Sequence, residues 1–155
     1  MIRKAEEKDI PQVAMLLGQV LEVHAEGRPD IFISGTRKYT DRELCAIFND
    51  GLRPVFVWTD ENDVAWGYAF CILEETKGAN NLRDMKSVYI DDICVDREHR
   101  RRGIAGELYA HVLAFAREQG CYHVTLNVWE LNPGAKAFYE KMGMRPLKTV
   151  METIL

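Results

Sequence analysis

The chain lacks the marks of several broad protein classes. None of its 155 residues fall in an apolar run long enough to span a bilayer, and no signal peptide opens the sequence. Membrane association is not expected, and the expected location is the cytoplasm. The four cysteines, Cys45, Cys71, Cys94 and Cys121, show neither C-x-x-C nor Cys/His ligand spacing. They read as reduced, mostly buried thiols, and no metal is expected. No repeat, low-complexity tract or linker divides the chain, so one domain over residues 1–155 is expected. Charge of one sign is missing too. A net charge of −4 argues against general nucleic-acid binding. The dinucleotide fingerprint G-x-G-x-x-G is absent, which argues against a Rossmann-type nucleotide binder.

What is present is an ordinary globular balance, 47% hydrophobic and 28% charged. Periodicity predicts strands over Met1–Lys4, Val55–Thr59, Val64–Glu74, Asp84–Val95 and His123–Trp129, with a final strand within Met144–Leu155. It predicts helices over Ile10–Ala25, Thr40–Asn49, Gly103–Gln119 and Pro133–Met142. Asp9 with Gln12 and Thr40 with Glu43 have capping-box spacing. Asn132 reads as an N-cap before Pro133, and Gly143 as a C-terminal cap. The strand Asp84–Val95, the helix after it and His123–Trp129 form a βαβ unit, so those two strands should be parallel. The earlier strands should be antiparallel. A mixed α/β (α+β) sheet with helices on both faces follows.

The most informative stretch is Val88–Tyr109. A strand gives way to Arg100, Arg101, Arg102 and Gly103, and a helix then begins at Ile104. A helix N-terminus presents free N–H groups and partial positive charge. This one has no capping side chain and is preceded by cations. Gly103, Ala105 and Gly106 leave room for phosphates against the backbone. An anion should complete the turn.

Arg100-x-x-Gly103-x-Ala105 after a strand resembles the acyl-CoA pyrophosphate loop of the GNAT N-acetyltransferase superfamily. A second block, Asn132, Ala135, Phe138, Tyr139, Glu140, Lys141 and Gly143, is similar to the same family's second signature, with Met144 in place of its last aromatic. The two blocks cover about the C-terminal two-fifths of the chain. The resemblance implies a mostly antiparallel sheet whose central parallel pair splays apart, admitting the pantetheine arm as an added strand. It implies acetyl-CoA as cosubstrate, with the backbone of Ile93, Cys94 and Val95 pairing with pantetheine. Arg100 to Gly106, including Ile104, would cradle the pyrophosphate. Asn132, Ala135 and Tyr139 would face the thioester end.

The implied reaction is direct acetyl transfer to a primary amine. An amine of pKa about 10.4 must lose a proton before it attacks. The tetrahedral intermediate needs an N–H donor, for which Ile93 is placed. Tyr139 matches the tyrosine that protonates the leaving thiolate. Asp91 and Asp92 interrupt an apolar strand and are the candidate bases; either could instead be a structural carboxylate. Alternation sends them to opposite faces, Asp91 with Tyr89, Ile93 and Val95. Glu26, Asp30 and the two aspartates could form an anionic mouth. A small-molecule amine is the expected acceptor, with a peptide or protein amine, or a CoA-binding module without turnover, as alternatives. A homodimer through edges such as Val150–Leu155 is possible. His24, His111 and His123 read as structural, His111 on an exposed face. His99 reads as part of a solvated turn, and Trp129 as core.

Overall fold

The computed structural model describes every residue from Met1 to Leu155. Five strands lie in one sheet in chain order: β1 (Ile2–Lys4), β2 (Val55–Thr59), β3 (Ala65–Thr76), β4 (Met85–Val95) and β5 (His123–Leu126). Four helices accompany them: α1 (Ile10–Gly27), α2 (Asp41–Phe48), α3 (Ile104–Glu118) and α4 (Pro133–Lys141). β1 to β4 pair antiparallel, while β4 and β5 pair parallel through the α3 crossover. This is the mixed sheet that the sequence predicts.

Both faces of the sheet are covered. Val55, Val57, Tyr68 and Phe70 pack with Val13, Leu16, Leu17, Leu44 and Ile47 from α1 and α2. Phe56, Ala69 and Cys71 pack on the other side with Ile104, Leu108 and Val112 from α3. Successive side chains point to opposite faces, so a strand covered on both needs an unbroken apolar run. β2, Val-Phe-Val-Trp-Thr, has one. α3 approaches the sheet closely at Gly67. A Cβ there would lie 3.1 Å from the Cys94 carbonyl oxygen and 3.2 Å from the Ile104 and Leu108 side chains. The start of α3 is therefore seated beside the strand from which its loop departs.

β4 breaks its alternation once. Phe70 pairs with Asp92 and Cys71 with Ile90, so Asp91 is an extra residue without a partner on β3. Before this bulge Val88 and Ile90 face α3; after it Ile93 and Val95 do. Asp91 and Asp92 therefore share the α1/α2 face, bonded to Tyr39 and Tyr68 respectively. Strict alternation predicts opposite faces for them, and the bulge overturns that.

The β4–β5 ladder covers only Ser87–Ile90 against His123–Leu126. β5 ends at Leu126, short of the predicted Trp129, because the chain turns there and Trp129 packs edge-on against Phe32. β4 runs on to Val95 with no neighbour on that side. A strand edge is thus left open over Asp91–Val95.

The predicted last strand is absent, since residues 144–155 are irregular. Met144 packs against the α3 core, but Leu147, Val150, Met151, Ile154 and Leu155 are exposed. Favourable β residues need a ladder and a face to bury, and this segment has neither. At the other end, Asp9 makes no cap bond to α1. Its buried carboxylate instead takes Arg3 at 2.7 and 2.9 Å and the Glu6 N–H at 2.8 Å. The Thr40–Glu43 capping box and the Asn132 cap form as predicted.

Candidate active site

The loop from β4 to α3 is fixed before any ligand arrives. Asp96 is buried at its start and accepts from Gln19 Nε2 at 2.8 Å, from the Glu98 N–H at 3.1 Å and pairs with His99 Nδ1 at 2.8 Å. Gln19 Oε1 in turn accepts the Arg97 N–H at 3.2 Å. The His99 ring stacks on Trp66, with centroids 4.3 Å apart and planes 12° from parallel. His99 is therefore packed and bonded rather than solvated. α1 and β3 together hold the loop.

The anion-binding geometry follows. Arg101 and Gly103 both have positive φ, 62° and 83°. Gly103 tolerates this freely, whereas Arg101 holds a conformation that costs a non-glycine residue energy. Gly103 is the N-cap of α3, and no side chain caps that helix. Arg101, Arg102 and Gly103 are exposed. Arg100 folds back, its Nε donating to the Val95 carbonyl at 3.2 Å. Ile104 is buried in the core, so its backbone alone faces the turn. Gly106 is open: a Cβ there would meet only the Met142 terminal methyl, 4.0 Å away. An uncapped helix start, two free guanidinium groups and open glycine positions suit a diphosphate. The open β4 edge beside them suits an extended chain with amide groups.

At the open end of the splay stand the ionisable groups. Asp92 accepts from the Tyr68 hydroxyl at 2.6 Å. Burial is the main cause that pushes its pKa up to about 6; Tyr68 and the Ile93 N–H pull it back, while Asp91 adds to the rise. Tyr139 on α4 lies within reach of the Asp92 charge, and burial, followed by Asp92, drives its pKa well above the usual phenol value. Its ring is 6.3 Å from that of Tyr109. The Oδ1 of Asn132 accepts from the Ala135 N–H at 3.1 Å, so Asn132 serves as the cap of α4. Cys94 is buried with Sγ 3.8 Å from the Leu16 carbonyl, and burial pushes its pKa up to about 12. It is a thiol at neutral pH, not a nucleophile.

Asp91 is differently placed. Lys38 Nζ lies 2.7 Å from both of its oxygens, and the Tyr39 hydroxyl donates to it at 2.9 Å. Arg53 donates to Tyr39 at 3.2 Å. The segment between α1 and α2 is thereby clamped to β4. Asp30 and Glu152 both pair with Arg28. Of the four carboxylates expected to form an anionic mouth, Asp30 and Asp91 thus have cationic partners, Glu26 is exposed without one, and Asp92 bonds Tyr68. Trp129 is 40% exposed rather than core, and it meets Phe32 and His24. His111 is not on an open face; it packs edge-on to Phe56 at 4.6 Å.

The description "Acetyltransferase (GNAT) family" fits residues 20–144 of the chain. The chain belongs to the GNAT acetyltransferase family. The GNAT fold is shared over its full length with a Bacillus halodurans protein, at 32% identity and a TM-score of 0.96, covering 100% of this chain and 99% of that one. Glucosamine-6-phosphate N-acetyltransferase from Arabidopsis thaliana aligns with a TM-score of 0.72 at 25% identity, covering 99% and 97% of the two chains. N-acetyltransferase 8 from Homo sapiens is 42% identical over 60 residues, 39% of this chain and 26% of that protein. The match to that relative thus spans about a quarter of its length.

The sequence alone does not point to Gln19, Lys38, Tyr39, Tyr68 or Trp66. Each joins the site from 24 to 77 positions away, or by stacking on His99. Tyr68 sits in an apolar strand run and has the look of core. The one available signal is the pair Asp91–Asp92, two adjacent carboxylates that require partners from elsewhere.

Proposed function

We propose that this protein transfers an acetyl group from acetyl-CoA to the primary amine of a small molecule. The observation that carries the reading is the open β4 edge over Asp91–Val95, which leads to the uncapped, arginine-flanked start of α3. Burial pushes the Asp92 pKa up to about 6 and keeps Tyr139 protonated. Both groups are raised by burial, and a carboxyl that still ionises by neutral pH together with a phenol that does not suits a base and an acid working at one pH.

Acetyl-CoA supplies an activated thioester carbonyl. Arg101, Arg102 and the first-turn N–H groups of α3 would hold its diphosphate, Arg100 bracing the loop through Val95. The open backbone of Ile93, Cys94 and Val95 would pair with its amide arm, and Asn132 and Ala135 would border its thiol end. Asp92 accepts the proton of the acceptor ammonium, directly or through one water. The Ile93 N–H, which also faces the Asp92 carboxylate, would be the donor to the carbonyl oxygen. As the nitrogen–carbonyl bond forms and the carbon–sulfur bond breaks, Tyr139 would give its phenolic proton to the departing sulfur, and the second proton of the attacking nitrogen would restore the phenol. Asp91, held by Lys38 and Tyr39, keeps the α1–α2 segment over the acceptor side and leaves the base role to Asp92.

Calorimetric titration with acetyl-CoA, with 3′-phospho-ADP and NAD as controls, followed by turnover on an amine panel, tests the reading. Acetyl-CoA is expected to bind more tightly than either control and to be consumed only with an amine. Binding without turnover would leave a CoA-binding module; no binding by folded protein would end the acetyl-CoA reading.

A further inference from the structure

We propose that the acceptor is a monoamine carried on an aromatic or apolar body, rather than a polyamine or an aminoglycoside-like polycation. This rests on the acetyl-transfer reading above and adds the class of acceptor to it.

Three rings meet from three segments: the end of α1, the stretch between α1 and α2, and the chain after β5. His24 near the end of α1 lies 5.0 Å from Phe32, centroid to centroid, and 6.0 Å from Trp129. Phe32 and Trp129 meet edge to face at 5.1 Å. Trp129 is 40% exposed, so part of its indole is available to a ligand. Phe32 lies on the α1–α2 segment that Lys38 and Tyr39 clamp to Asp91, at 2.7 and 2.9 Å, and Trp129 lies just beyond the end of β5, the strand that splays from β4. Burial and Lys38 together lower the His24 pKa, which favours the neutral ring. The wall is aromatic and uncharged, a surface that takes rings and alkyl groups.

The charges point the same way. An acceptor with several ammonium groups needs several carboxylates free to receive them. Here Asp91 is spent on Lys38, and Asp30 and Glu152 on Arg28. Glu22 keeps its charge but is tied to the Ser34 hydroxyl and the Gly35 N–H. Asp92 is the floor carboxylate left without a cation, and its partner is Tyr68. Lys38, half exposed beside it, repels a second ammonium. One amine fits this balance.

The test is a panel of 2-phenylethylamine, tryptamine, spermidine, kanamycin and an alanine-initiated peptide, with acetyl-CoA binding measured separately by calorimetry. The arylalkylamines are expected to give a kcat/KM about tenfold or more above spermidine and kanamycin. Trp129→Ala and Phe32→Ala should each raise the arylalkylamine KM by about tenfold with the acetyl-CoA KM unchanged, and Trp129→Phe, which keeps a ring, should recover most of the loss. A preference for the polycations, no arylalkylamine turnover by protein that binds acetyl-CoA, or an unmoved KM in Trp129→Ala overturns the acceptor class while leaving acetyl transfer standing. Failure to bind acetyl-CoA overturns both.

Discussion

Asp92 sets a trade between function and stability. Its carboxyl is raised from 3.8 to about 6, mainly by burial. The folded state therefore holds the proton more tightly than the unfolded chain does. The stabilising contribution of that proton is present below about pH 4 and is lost as pH rises through about 6. At 1.36 kcal/mol per pKa unit the loss at neutral pH is at most about 3 kcal/mol, and less where water reaches the cleft. Asp92→Asn keeps an acceptor for the Tyr68 hydroxyl but removes the charge. In thermal melts it should be more stable than wild type at pH 7.5, with the gain vanishing near pH 4.5. The same variant should lose about 10²- to 10³-fold in kcat together with the acidic limb of the pH–rate profile. Retention of that limb would remove Asp92 as the base. Tyr139 makes the complementary case. Its raised pKa keeps the phenol protonated across the working range. Tyr139→Phe should cost about 10²-fold in kcat with acetyl-CoA affinity nearly unchanged; unaltered turnover would exclude it as the acid.

The phosphate loop works only if β4, α1 and β3 agree on where it starts. Gln19 reaches from α1 to both the Asp96 carboxylate and the Arg97 N–H. Gln19→Ala should therefore raise the acetyl-CoA KM by about tenfold while leaving kcat close to wild type, with a stability loss of about 1–2 kcal/mol for the two hydrogen bonds. Equal loss in kcat and KM would mean that the loop is shaped some other way. This contact also marks the limit of reading by sequence. Element type and order for β1 to β5 and α1 to α4 follow from local periodicity and capping, and β2 appears with its predicted bounds. The Arg100–Gly106 turn and the α4 block are likewise local patterns. The bulge at Asp91 is not local: it is set by register against Phe70 and Cys71 on another strand. Because one extra residue flips every side chain beyond it, a correct strand assignment still put Asp91 and Asp92 on opposite faces, whereas they share one. The missing last strand has the same origin. Val150, Met151 and Ile154 have the right residue types, but pairing is a property of two segments, and one of them is absent.

Two apolar cores, one on each face of a single sheet, leave the molecule with one structural gap, where β4 outruns β5. A ligand that lies along the open β4 edge and ends on the start of α3 joins elements packed on opposite sides. Such binding stabilises the folded state alone, and by mass action the gain is about 2.7 kcal/mol at a ligand concentration of 100 Kd. For a chain of this size that corresponds to a rise in melting temperature of about 5–10 °C. Acetyl-CoA should give it, NAD should not, and 3′-phospho-ADP, which lacks the pantetheine arm, should give a smaller shift. The local cations decide the outcome, because the net charge of −4 opposes an anionic ligand at long range. Arg101 separates charge from backbone shape. Its φ of 62° is one that glycine adopts freely, so Arg101→Gly preserves the turn while removing the guanidinium. Arg101→Gly combined with Arg102→Ala should melt like the wild type without ligand and lose most of the acetyl-CoA shift. A full shift in that double variant would mean that the arginines are bystanders and that the helix start holds the diphosphate unaided.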